Sequence, residues 1–196
     1  MLAAVKCGEV AAVVTSLEMR APPRPRPLPA SPLRLVRWHA PSADAYRTLF
    51  RRVGAPWLWF SRLLLSDDAL LAIIRHPAVE VSAVVDRAGI EIGLLELDFR
   101  VADSCEISFF GLVPELAGKG HGRWLMAQTL AIGWSHPISR MWVHTCTLDH
   151  PSALGFYQAQ GFHPFARAIE TFADPRLLDI LPRDVAPHIP LIDPSS

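Results

Sequence analysis

The sequence predicts a mixed α/β domain in which a mostly antiparallel sheet is flanked by helices. An alternating, β-prone run, Glu106–Leu112, is followed by a glycine-containing loop and then by apolar residues at helical spacing. Two β-branched runs, 79–85 and 90–99, are separated by a turn and predict an antiparallel hairpin. With 196 residues and 51% hydrophobic content, the chain suits one domain covering 1–196.

The first part of the chain predicts a strand, a connector and two helices. We place the strand at Val13–Arg20. Six prolines lie within Ala21–Pro32, which predicts an extended connector that either crosses the surface as a stiff spacer or docks an SH3-type partner. A short extended segment follows at 33–38. One helix is capped by Ser42 and ended by Gly54, and a second begins at Ser66-Asp67-Asp68 and ends at His76-Pro77.

The last third of the chain predicts a strand, a helix and a final strand or pair of strands. The strand is expected at Met141–Cys146 and the helix at Pro151–Gln160, with the proline at its first position. Phe162–Phe172 forms the final strand or pair. The irregular tail, 174–196, contains five prolines, and we expect it to wrap the surface and fray.

Composition excludes several classes of function. Nineteen basic and nineteen acidic residues give a net charge of +0, so no electrostatic footprint for nucleic acid or an anionic membrane is present. No run of about 18 apolar residues or signal peptide is visible, so we expect a cytoplasmic location and no membrane span. Cys7, Cys105 and Cys146 form no paired motif, which argues against disulfides and against a bound metal.

The loop after Glu106–Leu112 opens a helix, and its glycine spacing decides its type. Its glycines are Gly118, Gly120 and Gly122. A Walker A loop fails because Gly120 follows Lys119, and Val113 stands at the first glycine position. A Rossmann fingerprint fails because Arg123 follows at its last position. The remaining pattern predicts either backbone N–H groups facing an anion or a simple tight turn.

A second motif, His150-Pro151-x-Ala153-Leu154-x-x-Tyr157-x-x-x-Gly161-Phe162, lies downstream on a predicted strand end and helix. Together with x-x-G-x-G, it resembles the GNAT superfamily of acyl-CoA-dependent N-acyltransferases, most clearly over 79–165. The run 144–151, with the aromatic patch 57–60, resembles a bacterial subgroup of that superfamily. The resemblance implies the GNAT fold and the transfer of an acyl group from acetyl-CoA to an amine acceptor.

The resemblance also implies which residues hold coenzyme A. The family's pyrophosphate loop falls on 117–122, where Ala117 replaces the usual Arg or Gln and predicts weaker coenzyme affinity. His150 stands where an Asn commonly contacts the pantetheine. The strand before the loop is expected to splay from its neighbour. The predicted coenzyme-binding residues are Phe110, Leu112, Val113, Gly118, Lys119, Gly120, His121, Gly122, Arg123, His150 and Tyr157.

Three catalytic roles follow from the resemblance. Tyr157 matches the acid that protonates the leaving thiolate; the alternative is a core tyrosine whose hydroxyl is satisfied. Glu106 precedes Gly120 by 14 residues, the spacing of the glutamate base in the histone-acetylating branch. Its rivals are Glu96 and Asp98 on the preceding strand, or an ordinary strand carboxylate. The Leu112 N–H is expected to face the thioester oxygen. Strand alternation predicts that Glu106, Ser108 and Phe110 share one face.

The acceptor side is expected to use Trp57, Trp59, Phe60 and His144. The aromatic residues form either a wall for an amine or core packing between helix and sheet. His144 and His150 lack a convincing third metal ligand, so no metal is predicted. Ser152 and Cys146 have no paired base, so covalent catalysis is not expected.

We therefore predict an acetyl-CoA-dependent N-acetyltransferase that works by direct attack in a ternary complex. The alternative is a GNAT-fold module that binds coenzyme A without catalysis, which Ala117 and the proline-rich connector favour. A third interpretation is partner binding through 21–32. The sequence leaves the acceptor and the oligomeric state open, a homodimer included.

Overall fold

Seven strands form one sheet in this computed structural model, which describes residues 2–24 and 27–194. Met1, Pro25, Arg26, Ser195 and Ser196, which belong to the predicted domain, connector and tail, lie outside the described residues. The strands are β1 (Glu9–Met19), β2 (Arg34–Arg37), β3 (Val79–Val85), β4 (Glu91–Asp98), β5 (Ser104–Leu112), β6 (Arg140–Cys146) and β7 (His163–Ala173). The helices are α1 (Ala43–Gly54), α2 (Asp67–Ile74), α3 (His121–Gly133) and α4 (Ala153–Ala159).

The sheet has the order β2-β3-β4-β5-β6-β1-β7, and every neighbouring pair except β5–β6 is antiparallel. The parallel pairing of β5 with β6 covers only Ser104–Ile107 against Arg140–Val143. Beyond Ile107 the two strands no longer pair. The predicted mixed α/β fold with a mostly antiparallel sheet is confirmed, and so is the β3–β4 hairpin.

Apolar side chains cover both faces of the sheet. Tyr46, Leu49 and Phe50 of α1 pack with α2 against one face, which we call the α1 face. Trp124 and Leu125 of α3 pack with α4 against the other, which we call the α3 face. No helix within residues 2–24 and 27–194 is long and apolar enough to cross a membrane.

The predicted helix caps are present. The Ser42 hydroxyl accepts the N–H of Ala45 at 3.1 Å, and Ser66 accepts the N–H of Ala69 at 3.3 Å. Gly54 ends α1 for a different reason from the one predicted, because its φ is −100° rather than left-handed. A Cβ there would lie 2.4 Å from the Trp59 side chain, so the glycine makes room for that indole.

Several predicted boundaries are wrong. β1 begins at Glu9, four residues earlier than expected, and it lies between β6 and β7 in the sheet. Pro151 lies in a turn before α4, which begins at Ala153. Of the two alternatives predicted for the end of the sheet, a strand or a pair, the structure has a single strand, His163–Ala173. Residues 174–194 contain no helix or strand, and the expected fraying does not extend to Arg176, which is buried.

A bulge in β5 overturns one further prediction. The register with β4 shifts at Ser108, since Leu97 pairs with Ile107 whereas Glu96 pairs with Phe109. Ile107 therefore packs on the α3 face and Phe109 on the α1 face. Phe110 packs on the α3 face. Glu106, which precedes Ile107, faces the α1 side, so Glu106 and Phe110 do not share a face.

Candidate active site

A cavity of about 850 Å³ opens where β5 and β6 diverge. Its wall includes residues of both faces, the loop before α3, and the connection between α1 and α2. Most of the predicted site residues line it, namely Trp57, Trp59, Phe60, Glu106, Phe110, Leu112, Val113, Gly118, Gly120, Gly122, Arg123, His144, His150 and Tyr157. Lys119 and His121 are not among its lining residues.

The glycine loop presents unused backbone donors to one end of this cavity. Gly118 and Gly120 have φ values of +73° and +83°, a conformation that side chains other than glycine rarely adopt. In the described part of the chain, the N–H groups of Gly118, Gly120, His121 and Gly122 donate to no other residue. Together with the N-terminus of the 13-residue α3, they make a surface that suits an anion.

The other two predicted N–H donors of this loop are engaged within the protein. The Arg123 N–H donates to the Gly120 carbonyl at 3.1 Å, and the Lys119 N–H donates to the Leu116 carbonyl at 3.4 Å. The His121 ring turns to the connector, where its Nδ1 lies 3.1 Å from the Ser31 hydroxyl. Coenzyme binding by these residues stays a prediction, with His121 placed to contribute its backbone rather than its ring.

Tyr157 lies on α4 and points its hydroxyl towards the cavity. Its ring packs edge-on against Phe110, Phe156 and Phe162, and the residue is 7% exposed. Within the described residues the hydroxyl has no hydrogen-bond partner, yet it is not sealed from solvent. Burial, and to a lesser extent Asp149, raise the pKa of Tyr157, so the phenol stays protonated at neutral pH. This geometry disfavours the alternative of a satisfied core tyrosine.

Glu106 reaches the cavity from the α1 face. Its carboxylate lies 3.8 Å from the Nδ1 of His144, and its side chain is 27% exposed. Burial raises the pKa of Glu106; His144 opposes this shift, and Asp98 adds to it. A carboxylate with a raised pKa is a stronger base than an ordinary glutamate, which is what proton removal from an amine requires.

The two rival bases are already occupied. Glu96 is 0% exposed, and its oxygens accept from Tyr46 at 2.5 Å and from Arg62 at 2.6 Å. Asp98 accepts three bonds of 2.6–3.0 Å from the Arg100 guanidinium. Burial tends to raise the pKa of Asp98, but these bonds outweigh burial and lower it. Glu106 is therefore the carboxylate of the three that is placed to accept a proton.

The divergence of β5 from β6 leaves strand donors facing the cavity. The Val113 N–H donates to the Ile92 carbonyl at 2.9 Å, on the β4 side. Because successive N–H groups along a strand point to opposite sides, those of Leu112 and Phe110 point away from β4, into the gap. The Leu112 N–H is thus oriented as the predicted donor to a thioester oxygen must be.

Among the predicted acceptor aromatics, Trp59 packs into the core, whereas Trp57 and Phe60 pack against other residues that line the cavity. Trp59 packs against Phe50 and Phe109 with ring centroids 5.5 and 5.2 Å away, so it belongs largely to the core. Trp57 instead packs edge-on against the His150 ring at 5.4 Å. Phe60 stacks on Phe172 at 4.6 Å.

His150 keeps one ring nitrogen available. Its Nδ1 accepts the N–H of Ser152 at 3.2 Å and lies 2.8 Å from the Ser152 hydroxyl. A neutral ring therefore carries its proton on Nε2 and can donate from there. His150 lines the cavity beside Tyr157, and its contact with a pantetheine arm stays a prediction.

Sequence patterns did not single out Arg62, which also lines the cavity. It lies in a 3₁₀ turn, Ser61–Leu63, between α1 and α2, with its guanidinium 5.2 Å from the Phe109 ring centre. Its place two residues after the aromatic patch was the one available signal. Its partner Glu96 lies on a distant strand, so their pairing could not be derived from local spacing.

The model of the acetyltransferase (GNAT) family matches residues 37–162, which is more than half of the chain. The chain belongs to the GNAT family. The splayed strands, the glycine loop before α3 and Tyr157 on α4 all lie within the matched residues, so the predicted resemblance is confirmed. Transfer of an acyl group is the general activity of this family, and acetyl-CoA is its usual donor. No curated protein sequence matches this chain.

Solved GNAT structures share the fold at low sequence identity. A GCN5-related N-acetyltransferase from Sphaerobacter thermophilus is 14% identical, with a TM-score of 0.61 over 98% of this chain and 56% of that one. A tandem GNAT protein from the clavulanic acid biosynthesis pathway is 18% identical, with a TM-score of 0.52 over 83% and 53%. An aminoglycoside acetyltransferase from an uncultured soil metagenomic sample is 15% identical, with a TM-score of 0.55 over 66% and 88%. The chain thus spans little more than half of the first two proteins.

Two further titratable residues, Cys146 and Asp149, line the cavity at the end of β6. In residues 2–24 and 27–194, no cluster of three or more His, Cys, Asp and Glu is arranged to hold a metal ion. Burial raises the pKa of the Cys146 thiol to about 11, and Asp149 adds to the effect, so this thiol is protonated at neutral pH. The Asp149 carboxylate accepts from Thr145 at 2.7 Å and from the Cys146 N–H at 2.9 Å, so it closes the turn after β6.

Proposed function

We propose that this protein is an acetyl-CoA-dependent N-acetyltransferase that acetylates a primary amine by direct attack in a ternary complex. The observation that carries the proposal is the position of Glu106 and Tyr157 on opposite faces of the sheet, at one cavity that opens between β5 and β6. A thioester lying in this gap has a base on one side and an acid on the other.

The residues of the cavity fit coenzyme A along its length. The unused N–H groups of the glycine loop suit the pyrophosphate, and Gly118 leaves open space above its backbone. The strand donors of Phe110 and Leu112 suit the amides of the pantetheine and the thioester oxygen. Ala117 lines the cavity and contributes no hydrogen-bonding side chain, so backbone donors carry the binding there.

Each catalytic residue then has one task. Glu106 removes a proton from the ammonium group, which is needed because a model amine of pKa about 10.4 is almost fully protonated at pH 7. The Leu112 N–H stabilises the negative charge that develops on the thioester oxygen. Tyr157, whose pKa is raised by burial, gives its proton to the departing thiolate.

Release of free thiol from acetyl-CoA with a panel of amines tests the proposal. We expect turnover with the wild type, and a fall in kcat of about 100-fold or more in Tyr157→Phe and in Glu106→Gln, as for the loss of a general acid or base. Glu115→Gln is the matched control, because Glu115 is an exposed carboxylate near the glycine loop that does not line the cavity.

The competing function is a coenzyme-binding module without catalysis. Ala117 favours it, because alanine cannot make the side-chain contact of the Arg or Gln that is usual at this position. This function predicts that acetyl-CoA raises the Tm of the protein while no amine is turned over. If acetyl-CoA neither binds nor raises the Tm, both functions are wrong.

A further inference from the structure

Arg62 is a cavity residue that the catalytic steps above do not use. Its side chain is 15% exposed, and its Nη2 donates to the Glu96 carboxylate at 2.6 Å. The other oxygen of Glu96 accepts from Tyr46 at 2.5 Å. Because Glu96 is 0% exposed and held from α1, it fixes the guanidinium at the cavity wall, over the Phe109 ring.

Most of the hydrogen-bonding capacity of Arg62 is unused. A guanidinium carries five N–H donors, and here one donor nitrogen is occupied. In the part of the chain that the structure describes, Nε is buried and has no partner. Nη1 forms no hydrogen bond there and is accessible, although the guanidinium also lies close to the Tyr46 hydroxyl, and Arg62 lines the cavity. A fixed, partly unpaired guanidinium at a cavity wall suits a planar anion such as a carboxylate.

Strand register places Arg62 close to the proposed base. On β4, Asp98 pairs with the proposed base Glu106, and Glu96 holds Arg62. Asp98 and Glu96 lie two residues apart, which is about 7 Å along the strand. Both positions face the α1 side of the sheet. This separation suits a small acceptor whose amine contacts Glu106 and whose carboxylate contacts Arg62, each through a hydrogen bond of about 2.8 Å.

Arg100, the other arginine near Glu106, does not offer the same site. Three bonds of 2.6–3.0 Å join its guanidinium to both oxygens of Asp98 and occupy both Nε and Nη2, whereas Arg62 uses only Nη2 on its own partner. The acceptor end of the cavity therefore combines the base Glu106 with Arg62, which is the less exposed of the two arginines (15% against 42% of the side chain) and has the larger share of its nitrogens unbonded.

We propose that the acceptor is an amino acid, or another small amine with a nearby carboxylate, and that Arg62 anchors this carboxylate. The inference rests on the proposed N-acetyltransferase function and names its substrate class. The amine nitrogen forms a bond to the thioester carbonyl carbon, and the carbon–sulfur bond breaks. Glu106 takes one proton of the ammonium group before the attack, and the thiolate takes its proton from Tyr157. The second nitrogen proton, released as the amide forms, restores the Tyr157 phenol through solvent in the open cavity. The products are an N-acetyl amino acid and free coenzyme A.

Acetyl transfer to amino acids and to the corresponding amino acid amides, at a pH above the amine pKa of both, tests this inference, because the carboxylate is then the main difference within each pair. For the wild type we expect kcat/KM to be about 10- to 100-fold higher for the amino acid than for its amide, as for the loss of one charged hydrogen bond. In Arg62→Gln this preference should fall to about 1, mainly through a higher KM for the amino acid. Arg62→Lys should recover part of it.

Arg47→Gln is the matched control. Arg47 bonds to Asp67 at 2.5 Å and to the Leu65 carbonyl at 2.8 Å, so it also braces the connection from α1 to α2, but it does not line the cavity. This variant should keep the wild-type preference for the carboxylate. If it loses the preference as Arg62→Gln does, the effect comes from loosening of the connection and the inference is wrong.

Product binding gives a second measurement that does not need turnover. In the presence of coenzyme A, an N-acetyl amino acid should raise the Tm of the wild type more than its amide does, and Arg62→Gln should remove the difference. If amines are acetylated but amides react as well as amino acids, the substrate class is wrong and the N-acetyltransferase function stands. If acetyl-CoA binds but no amino acid, amide or other amine is acetylated, both proposals are wrong.

Discussion

At the scale of single residues, Glu106 combines two opposite effects on the protein. Burial raises the pKa of its carboxyl, so the folded state favours the protonated form more than the unfolded chain does. Above the folded-state pKa the carboxylate is ionised, and keeping it half-buried costs stability. The same ionised form is the base that the proposed reaction needs. Glu106 is therefore a residue at which activity and stability are expected to conflict.

A pH profile tests the proposed role of Glu106 in catalysis. In the wild type, kcat/KM should rise with pH through a pKa above the ordinary range of a glutamate, because the base must be ionised. Glu106→Gln should lose this rise, and its remaining activity should be at least about 100-fold lower than that of the wild type. If kcat/KM of Glu106→Gln still rises at the same pH, another group causes the rise and Glu106 is not the base.

The stability of the same variant is expected to change in the opposite direction. Since the folded-state pKa is raised, Glu106→Gln removes an unfavourable buried charge at pH 8, and its Tm should lie above that of the wild type. The gain should shrink as the pH falls through the folded-state pKa, where the wild-type carboxyl becomes neutral. Thermal unfolding of both proteins at pH 5 and pH 8 measures this gain. A Tm of Glu106→Gln below that of the wild type at pH 8 would contradict the prediction.

At the scale of elements, the glycine loop was predictable because all of its signals are local. Gly118 and Gly120 stand between a strand and a helix in the sequence. Both have positive φ values, which glycine adopts readily because it has no Cβ. Tyr157 was found through the resemblance to the GNAT superfamily, from its place in the motif that runs from His150 to Phe162. The bulge at Ser108 was not predictable, because it is defined by pairing with β4. Arg62 was missed because its partner Glu96 is remote in sequence.

Gly118→Ala tests the loop as a coenzyme-binding element. A Cβ at Gly118 meets no atom within 4 Å, so the cost arises from its φ of +73° and should be about 1–2 kcal/mol of unfolding free energy. Gly89→Ala is a matched control, since Gly89 has a φ of +84°, equally open surroundings and a place in the β3–β4 turn. Both variants should lose similar stability in urea unfolding. Only Gly118→Ala should weaken acetyl-CoA binding in calorimetry. If the two variants bind acetyl-CoA with equal affinity, the loop does not have the proposed role.

At the scale of the whole molecule, the place of β1 in the sheet is set by pairing with strands that are distant in sequence, so the sequence alone did not predict it. β1 lies between β6 and β7, whereas β2 lies at the opposite edge, so the chain from β1 to β2 has to cross five inter-strand spacings, about 24 Å. Fourteen residues, 20–33, reach about 43 Å in a polyproline conformation, which is ample. The proline content predicted an extended connector, and the Ser31–His121 contact places its end beside α3. The strand that β1 joins depends on residues 120 or more positions away, which no local pattern contains.

The buried pair Asp174–Arg176 gives the tail, which was expected to fray, a measurable structural role. Arg176 is 1% exposed, its guanidinium bonds to both oxygens of Asp174, and its Nη1 donates to the Ile189 carbonyl at 2.9 Å. Asp174→Ala leaves this guanidinium buried without its counter-ion, so we expect a loss of about 3–5 kcal/mol of unfolding free energy. Arg20→Gln breaks the exposed pair with Glu18 and should cost about 1 kcal/mol or less. Urea unfolding of the two variants compares them, and similar costs would mean that the tail is not held by its buried pair.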